Sequence, residues 1–229
     1  MRVSTYQKSP NVLAAVVIRR LLDLLYLRRN TLKNFLTQPN PRYDIVYLDP
    51  PWDYKGQLQH SKPGMGDTGG ARKHYGTLKL KQLKQFPIQG LLNDDALVFM
   101  WITNPHLDQG IELLKSWGLK YSTVAFVWNK MKVNPGFYTM SQCELCIVGK
   151  NGKIPRPRGA RNVRQYVEHM REQHSKKPDE VRARIEQMFP DQSKVELFAR
   201  HQHPGWAAWG DEVENGCSRL EESLSELGW

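Results

Sequence analysis

The stretch Tyr43-Asp44-Ile45-Val46-Tyr47-Leu48-Asp49-Pro50-Pro51-Trp52 constrains the chain more than any other. Ile45 to Leu48 is apolar and β-prone and follows Pro39, Asn40 and Pro41, so it reads as a buried strand entered from a turn. The strand must stop at Asp49-Pro50-Pro51, because two prolines remove two backbone donors and cannot continue a central strand. Pro50 also drives Asp49 towards extended geometry. The result is a carboxylate and a rigid loop at the carboxyl end of a strand, with an indole just beyond. In open α/β sheets that edge is where ligands bind.

Around this strand the chain alternates between helical and extended patterns. Thr77 to Leu92 has amphipathic helical spacing broken near Pro87, and Ala96 to Thr103 is an apolar strand ending at Asn104-Pro105. Leu107 to Trp117 reads as a helix closed by Gly118 at C′. Ser122 to Trp128 and Ser141 to Val148 are further strands, with Gly149 to Gly152 a turn. Lys177-Pro178-Asp179-Glu180 opens a helix, with proline near its first turn and acids favoured by the helix dipole, and Pro190-Asp191 ends it. Lys194 to Phe198 and Trp206 to Trp209 complete the strands, joined by a polar loop from Ala199 to Gly205. Such alternation predicts an α/β fold with a mostly parallel sheet and helices on both faces.

Three divisions follow. Residues 1–42 form an arm and a helical segment, in which Asn11 is an N-cap and Val12, Val16, Leu21, Leu22, Leu25 and Phe35 face inward, with Arg19, Arg20, Arg28, Arg29 and Lys33 outward. Residues 43–213 form the main α/β domain, and 214–229 an acidic, weakly helical tail. Residues 55–76 are too polar and glycine-rich for a core element, which predicts a functional lid or a mobile segment.

At 229 residues and 40% hydrophobic content the chain holds one sizeable domain with a real core. Its net charge of +10 favours a polyanionic partner. That charge is concentrated in residues 151–177, where Arg156, Arg158 and Arg161 lie; the run reads either as a solvated face or as a segment that holds phosphates without reading bases. Cys143 and Cys146 form a lone C-x-x-C and Cys217 is far away, so neither a disulfide framework nor a zinc site is expected, and no metal at all. No apolar run approaches membrane-spanning length, and Val12 to Ile18 is followed by Arg19-Arg20 without a small-residue cleavage site. The expected compartment is a reducing cytoplasm.

The group at the strand end suits attack by an aromatic amine. An exocyclic NH2 has two N–H donors and a lone pair delocalised into its ring. Asp49 and the carbonyl of Pro50 offer two acceptors held close together, which free that lone pair, and Trp52 offers a face for a flipped-out base. There is neither a G-x-G-x-x-G after an early strand nor a P-loop, so dinucleotide and ATP chemistry lose ground.

Asp49-Pro50-Pro51-Trp52 resembles the DPPW signature of the adenine amino methyltransferases, the family of the eukaryotic messenger-RNA adenine methyltransferase and its bacterial and phage DNA-modifying relatives. The resemblance continues through His74-Tyr75-Gly76-Thr77, Val98 to Asn104, Phe126 to Lys130, Lys177 to Glu180, Glu196 to Arg200 and Gly205 to Glu212, covering roughly residues 43–213. It implies a Rossmann-like class I fold with permuted motif order, S-adenosylmethionine as methyl donor and no metal. The implied catalytic group is Asp49, Pro50, Pro51 and Trp52. Tyr75, His74, Lys130 and Asn104 would contact the substrate. Lys177, Glu196, Arg200, Gln202, His203, Asp211 and Glu212 would surround the donor, with Glu196 at its ribose and Lys177 at its amino-acid end. The implied reaction is methylation of the amino group of adenine in DNA, inside a bacterial or phage-infected cell. RNA methylation and an inactive nucleic-acid-binding subunit are the alternatives, and the oligomeric state stays open.

Overall fold

The structure is a computed structural model and describes residues 42–53, 77–135, 138–171, 176–210 and 213. The predicted N-terminal helix, the tail, the lid at 55–76, Cys217 and the site residues His74, Tyr75, Asp211 and Glu212 lie outside the described residues.

Seven strands form one sheet among the described residues: β1 (Tyr43–Leu48), β2 (Leu92–Thr103), β3 (Lys120–Asn134), β4 (Ser141–Asn151), β5 (Tyr166–Glu168), β6 (Lys194–Leu197) and β7 (Ala207–Trp209). Their order is β5-β3-β4-β2-β1-β6-β7. The pairs β1–β2, β1–β6, β3–β5 and β6–β7 are parallel, while β4 runs antiparallel to both β2 and β3. The sheet is therefore mostly parallel with one reversed strand, as in a Rossmann-like methyltransferase fold. The apolar β1 is an interior strand between β2 and β6 and is buried on both faces, with Ile45, Val46 and Leu48 fully enclosed.

Three α-helices are described: α1 (Leu80–Leu83), α2 (Leu107–Ser116) and α3 (Asp179–Met188). Helix α3 starts where the acids of its first turn predict, and Val181, Ile185 and Phe189 recur every four residues to fill one face of the sheet with Tyr47, Phe99, Trp101, Phe126 and Trp128. Helix α2 covers the other face: a Cβ on Gly110 would lie 3.2 Å from Ile102 and Ile147. It ends as predicted. Gly118 takes φ +74°, its N–H bonds the Lys115 carbonyl at 2.9 Å, and Leu119 N–H bonds the Leu114 carbonyl at 3.0 Å, which is a Schellman closure.

Four expectations change. The helix expected over Thr77 to Leu92 shrinks to α1 and a 3-10 turn at Ile88–Leu91, because Pro87 breaks the pattern and Leu91 and Leu92 turn into the core. Strand β2 begins at Leu92 rather than Ala96. The turn expected at Gly149 to Gly152 is largely strand: Gly149 pairs with Val98 and Lys150 with Leu97. Gly149 is there for packing, since a Cβ would come within 2.8 Å of Leu114. Strand β5 lies inside the basic run, where no apolar alternation announces it.

Candidate active site

The parallel strands end at one edge of the sheet, and the candidate residues collect there. Asp49 follows the last residue of β1, Asn104 follows β2, and Lys130 lies near the end of β3. Because β4 is reversed, its early residue Glu144 reaches the same edge, opposite Thr103 and Trp128.

The Asp49-Pro50-Pro51-Trp52 turn is fixed by backbone bonds. Trp52 N–H donates to the Pro50 carbonyl at 2.8 Å, Leu78 N–H to the Pro51 carbonyl at 2.7 Å, and Asp53 N–H to the Leu78 carbonyl at 3.0 Å. The Pro50 oxygen keeps a second lone pair for another donor. Trp52 departs from its expected role: it is 3% exposed, and its indole N–H points to the Trp101 carbonyl at 3.4 Å. It anchors the turn and shows no open face for a base.

Four alternating charges run across the edge. Lys177 Nζ donates to Asp49 Oδ2 at 2.6 Å and lies 3.3 Å from Glu144 Oε2, while Lys130 Nζ donates to Glu144 Oε1 at 3.2 Å. Lys177 also sits 5.7 Å from the centre of the Trp101 ring. The Asp49 side chain keeps 29% of its surface accessible. Burial holds its carboxyl above the usual aspartate range, with Glu144 adding to the rise and Lys177 opposing it. Burial also acts to raise Glu144, but Lys177 and Lys130 outweigh it, and that carboxyl lies below its usual range. Lys130, expected at the substrate, is thus tied to Glu144 and buried. Glu144 and the pairing of Lys177 with Asp49 were not legible in the sequence. The two partners are 128 residues apart, and only the sheet order brings them together.

Glu196 lies on β6 beside Tyr47 of β1. Arg182 of α3 grips it with two bonds, Nε to Oε2 at 2.9 Å and Nη2 to Oε1 at 3.3 Å, and also reaches Asp179 at 2.8 Å. Burial raises the Glu196 carboxyl against the opposing pull of Arg182. Arg182, which holds Glu196 through these two bonds, was not singled out in the sequence. The signal was its place one turn after Asp179.

After β6 the chain turns sharply, with Phe198 at φ +57° and its ring against Phe86 and Trp209. A bulky residue in the left-handed region costs about 1–3 kcal/mol, which the surrounding rings offset. Gly210 follows from the same crowding: a Cβ there would lie 2.0 Å from the Ala199 carbonyl oxygen. The turn leads to Arg200, whose charge acts on Asp49, and to Gln202 and His203. Burial lowers the His203 ring, and Arg182 lowers it further.

Arg156, Arg158 and Arg161 do not join this group. They line a basin with Asp44 and Asp95, at the amino ends of β1 and β2. Asp44 and Asp49 are separated by about 16 Å of extended chain, at about 3.3 Å per residue. The run expected beside Lys177 therefore begins at the opposite edge of the sheet. Among the described residues no group of three or more His, Cys, Asp or Glu could hold a metal ion, and no helix is long and apolar enough to cross a membrane. Cys146 is buried, and its thiol is pushed well above its usual range by that burial.

The sequence profile of the MT-A70 family matches residues 43–212. The type II methyltransferase M.MunI of a Mycoplasma species is 45% identical over 201 residues, which cover 81% of this chain and 86% of that protein. The N(6)-adenosine-methyltransferase MT-A70-like protein of Arabidopsis thaliana is 30% identical over 194 residues, and this chain spans 25% of its length. The human N(6)-adenosine-methyltransferase catalytic subunit METTL3 is 28% identical over 184 residues, 28% of its length. A profile match over most of the chain, on this sheet and with these residues at its carboxyl edge, assigns the protein: it belongs to the MT-A70 family of methyltransferases.

Proposed function

We propose that the protein transfers a methyl group from S-adenosylmethionine to the exocyclic amino group of adenine in DNA. The observation that carries this reading is the Asp49 carboxylate, held by Lys177 at 2.6 Å and followed by a rigid proline turn at the end of β1. Its second oxygen and the Pro50 carbonyl can accept the two N–H groups of an amine. That interaction directs the nitrogen lone pair out of the ring and towards an electrophile. Positioning of this kind, with fixed charges around the reacting centre, is what such a transfer requires.

The residues on the donor side fit the proposed group. Its carboxylate, its ammonium and its ribose hydroxyls call for a cation and for acceptors. Lys177 and Arg200 offer positive charge, while Glu196 and Asp179 offer carboxylates joined through Arg182. Glu196 would hold the ribose, Lys177 the amino-acid end, and Arg200, Gln202, His203, Asp211 and Glu212 the rest of the pocket. When bound, the donor supplies an activated methyl group on a sulfonium, so no strong base is needed. Asp49, Asn104, Tyr75 and His74 would hold the adenine, and the proton leaves the nitrogen once that atom carries charge.

DNA is favoured by the likeness to a type II methyltransferase across 86% of that protein. RNA is the second reading, supported by relatives named N(6)-adenosine-methyltransferases, of which this chain spans about a quarter. Incubation with labelled donor and matched single-stranded and duplex DNA and RNA, followed by nucleoside analysis, tests both. Label in N6-methyldeoxyadenosine is the expected result. Label only in RNA selects the second reading, and none in any substrate overturns both.

A further inference from the structure

The basin at the amino edge has a volume of about 690 Å3, and five cations line it: Lys150, Lys153, Arg156, Arg158 and Arg161. Among the described residues none of the five forms an ion pair. Its two carboxylates are already engaged by neutral groups. Asp44 accepts from the Ser193 hydroxyl at 2.8 Å, the Ser193 N–H at 2.9 Å and the Asn93 amide at 2.8 Å. Asp95 accepts the backbone N–H of Lys153 at 2.7 Å. The Arg158 guanidinium lies 5.4 Å from the Phe189 ring, and its Nε is buried with no hydrogen-bond partner.

The basic loop is also held in place. A Cβ on Gly152, at φ +56°, would meet the Asp94 carbonyl oxygen at 2.2 Å. Gln192 donates to the Pro157 carbonyl at 2.9 Å, Gly159 N–H to the Met188 carbonyl at 2.9 Å, and Ala160 N–H to the Gln187 carbonyl at 2.7 Å. A fixed backbone that gathers five unpaired cations around a concavity, leaving one buried N–H unmatched, is short of an anion. Guanidinium groups match phosphate oxygens in pairs, and a concave site suits several phosphates close together.

We propose that this basin binds clustered phosphate groups, at a position separate from the Asp49 site and independent of the reaction there. Two sources carry that chemistry: a free polyphosphate and the backbone of a nucleic-acid strand. Calorimetric titration of the full-length protein with inorganic tripolyphosphate at low ionic strength is the test. Saturable binding is expected, weakened about tenfold or more in Arg156→Ala/Arg161→Ala. Both of these residues are exposed and unpaired, so the variant retains the Arg158 packing, and an unchanged thermal midpoint establishes that it folds. Lys115→Ala, on helix α2, should bind as wild type does. Absence of saturable binding, or binding by the double variant within about twofold of wild type, would overturn the proposal. A short duplex then separates the sources: if it displaces tripolyphosphate and its own salt dependence flattens in the double variant, the phosphates are those of a strand. If it does neither while tripolyphosphate still binds, they belong to a free polyphosphate.

Discussion

The two edges of the sheet handle charge in opposite ways. At the carboxyl edge Asp49, Lys177, Glu144 and Lys130 alternate in sign and are largely enclosed, so each charge is matched by its neighbour. At the amino edge five cations face a basin and none is paired among the described residues, while the nearby carboxylates are occupied by a hydroxyl, an amide and backbone N–H groups. Paired, buried charges hold a constellation in one geometry; unpaired, exposed ones keep their field available to a ligand. Both regions are dense in Lys, Arg, Asp and Glu, and the difference lies in the partners the fold supplies.

That contrast can be broken by substitution. Asp49→Asn should produce the largest effect, a loss of about 10²–10³-fold in methyl transfer, because it removes the charge-assisted acceptor while keeping its shape. Donor affinity in the same variant should largely survive; turnover near wild type would remove Asp49 from the reaction. Glu196→Ala should come next, weakening donor binding roughly tenfold to a hundredfold by calorimetry, since charge-assisted hydrogen bonds contribute about 1.5–3 kcal/mol. Unchanged donor affinity would take Glu196 out of the donor pocket.

Glu144→Gln tests the network itself. It leaves Lys130 and Lys177 facing a neutral amide, and a loss of up to about 3 kcal/mol in chemical unfolding is expected. The sign of the pH effect is set by the shifts. The depressed carboxyl of Glu144 contributes stability above its ordinary titration range, which is lost as pH falls through its lowered value, and the variant should lack that acid dependence. The raised carboxyl of Asp49 acts in the reverse sense, its contribution being lost as pH rises through its elevated value. In the proposed reaction Asp49 acts ionised, so the acid limb of kcat/KM should lie above the normal aspartate range. In Glu144→Gln the limb should move to lower pH, because a negative neighbour is gone and Lys177 remains. A limb that stays fixed would assign it to another group. Arg156→Ala should be the mildest, within about 0.5 kcal/mol of wild type in stability, because this exposed side chain holds no partner among the described residues. A large loss would mean the amino edge is structurally bound after all.

The strand leading to Asp49, the proline turn, helices α2 and α3 and the mostly parallel sheet were legible because their signals are local: apolar runs, a C′ glycine and acids in a first turn. Those that escaped are set by distant partners. Strand β2 starts four residues early, three of them polar, because Asn93 bonds Asp44 and Asn151 bonds the Asn93 carbonyl, so polar strand residues are satisfied across the edge. Gly149 looked like a turn residue until the side chain of Leu114 needed the space. In the site, the identity of Asp49 and Lys177 was readable, but their bond was not, and neither was the clamp of Arg182 on Glu196. Trp52 was read as a stacking surface because an indole beside a carboxylate looks the same in sequence whether it is covered or open.

The single bridge between Trp52 and Leu78 has a consequence for how the chain can be altered. It fastens together the two ends of everything between Asp53 and Thr77, directly beside Asp49. It joins the proline turn after β1 to the residues that lead into α1. Substitutions at Leu78 should therefore be felt at Asp49, although Leu78 belongs to neither β1 nor the proline turn.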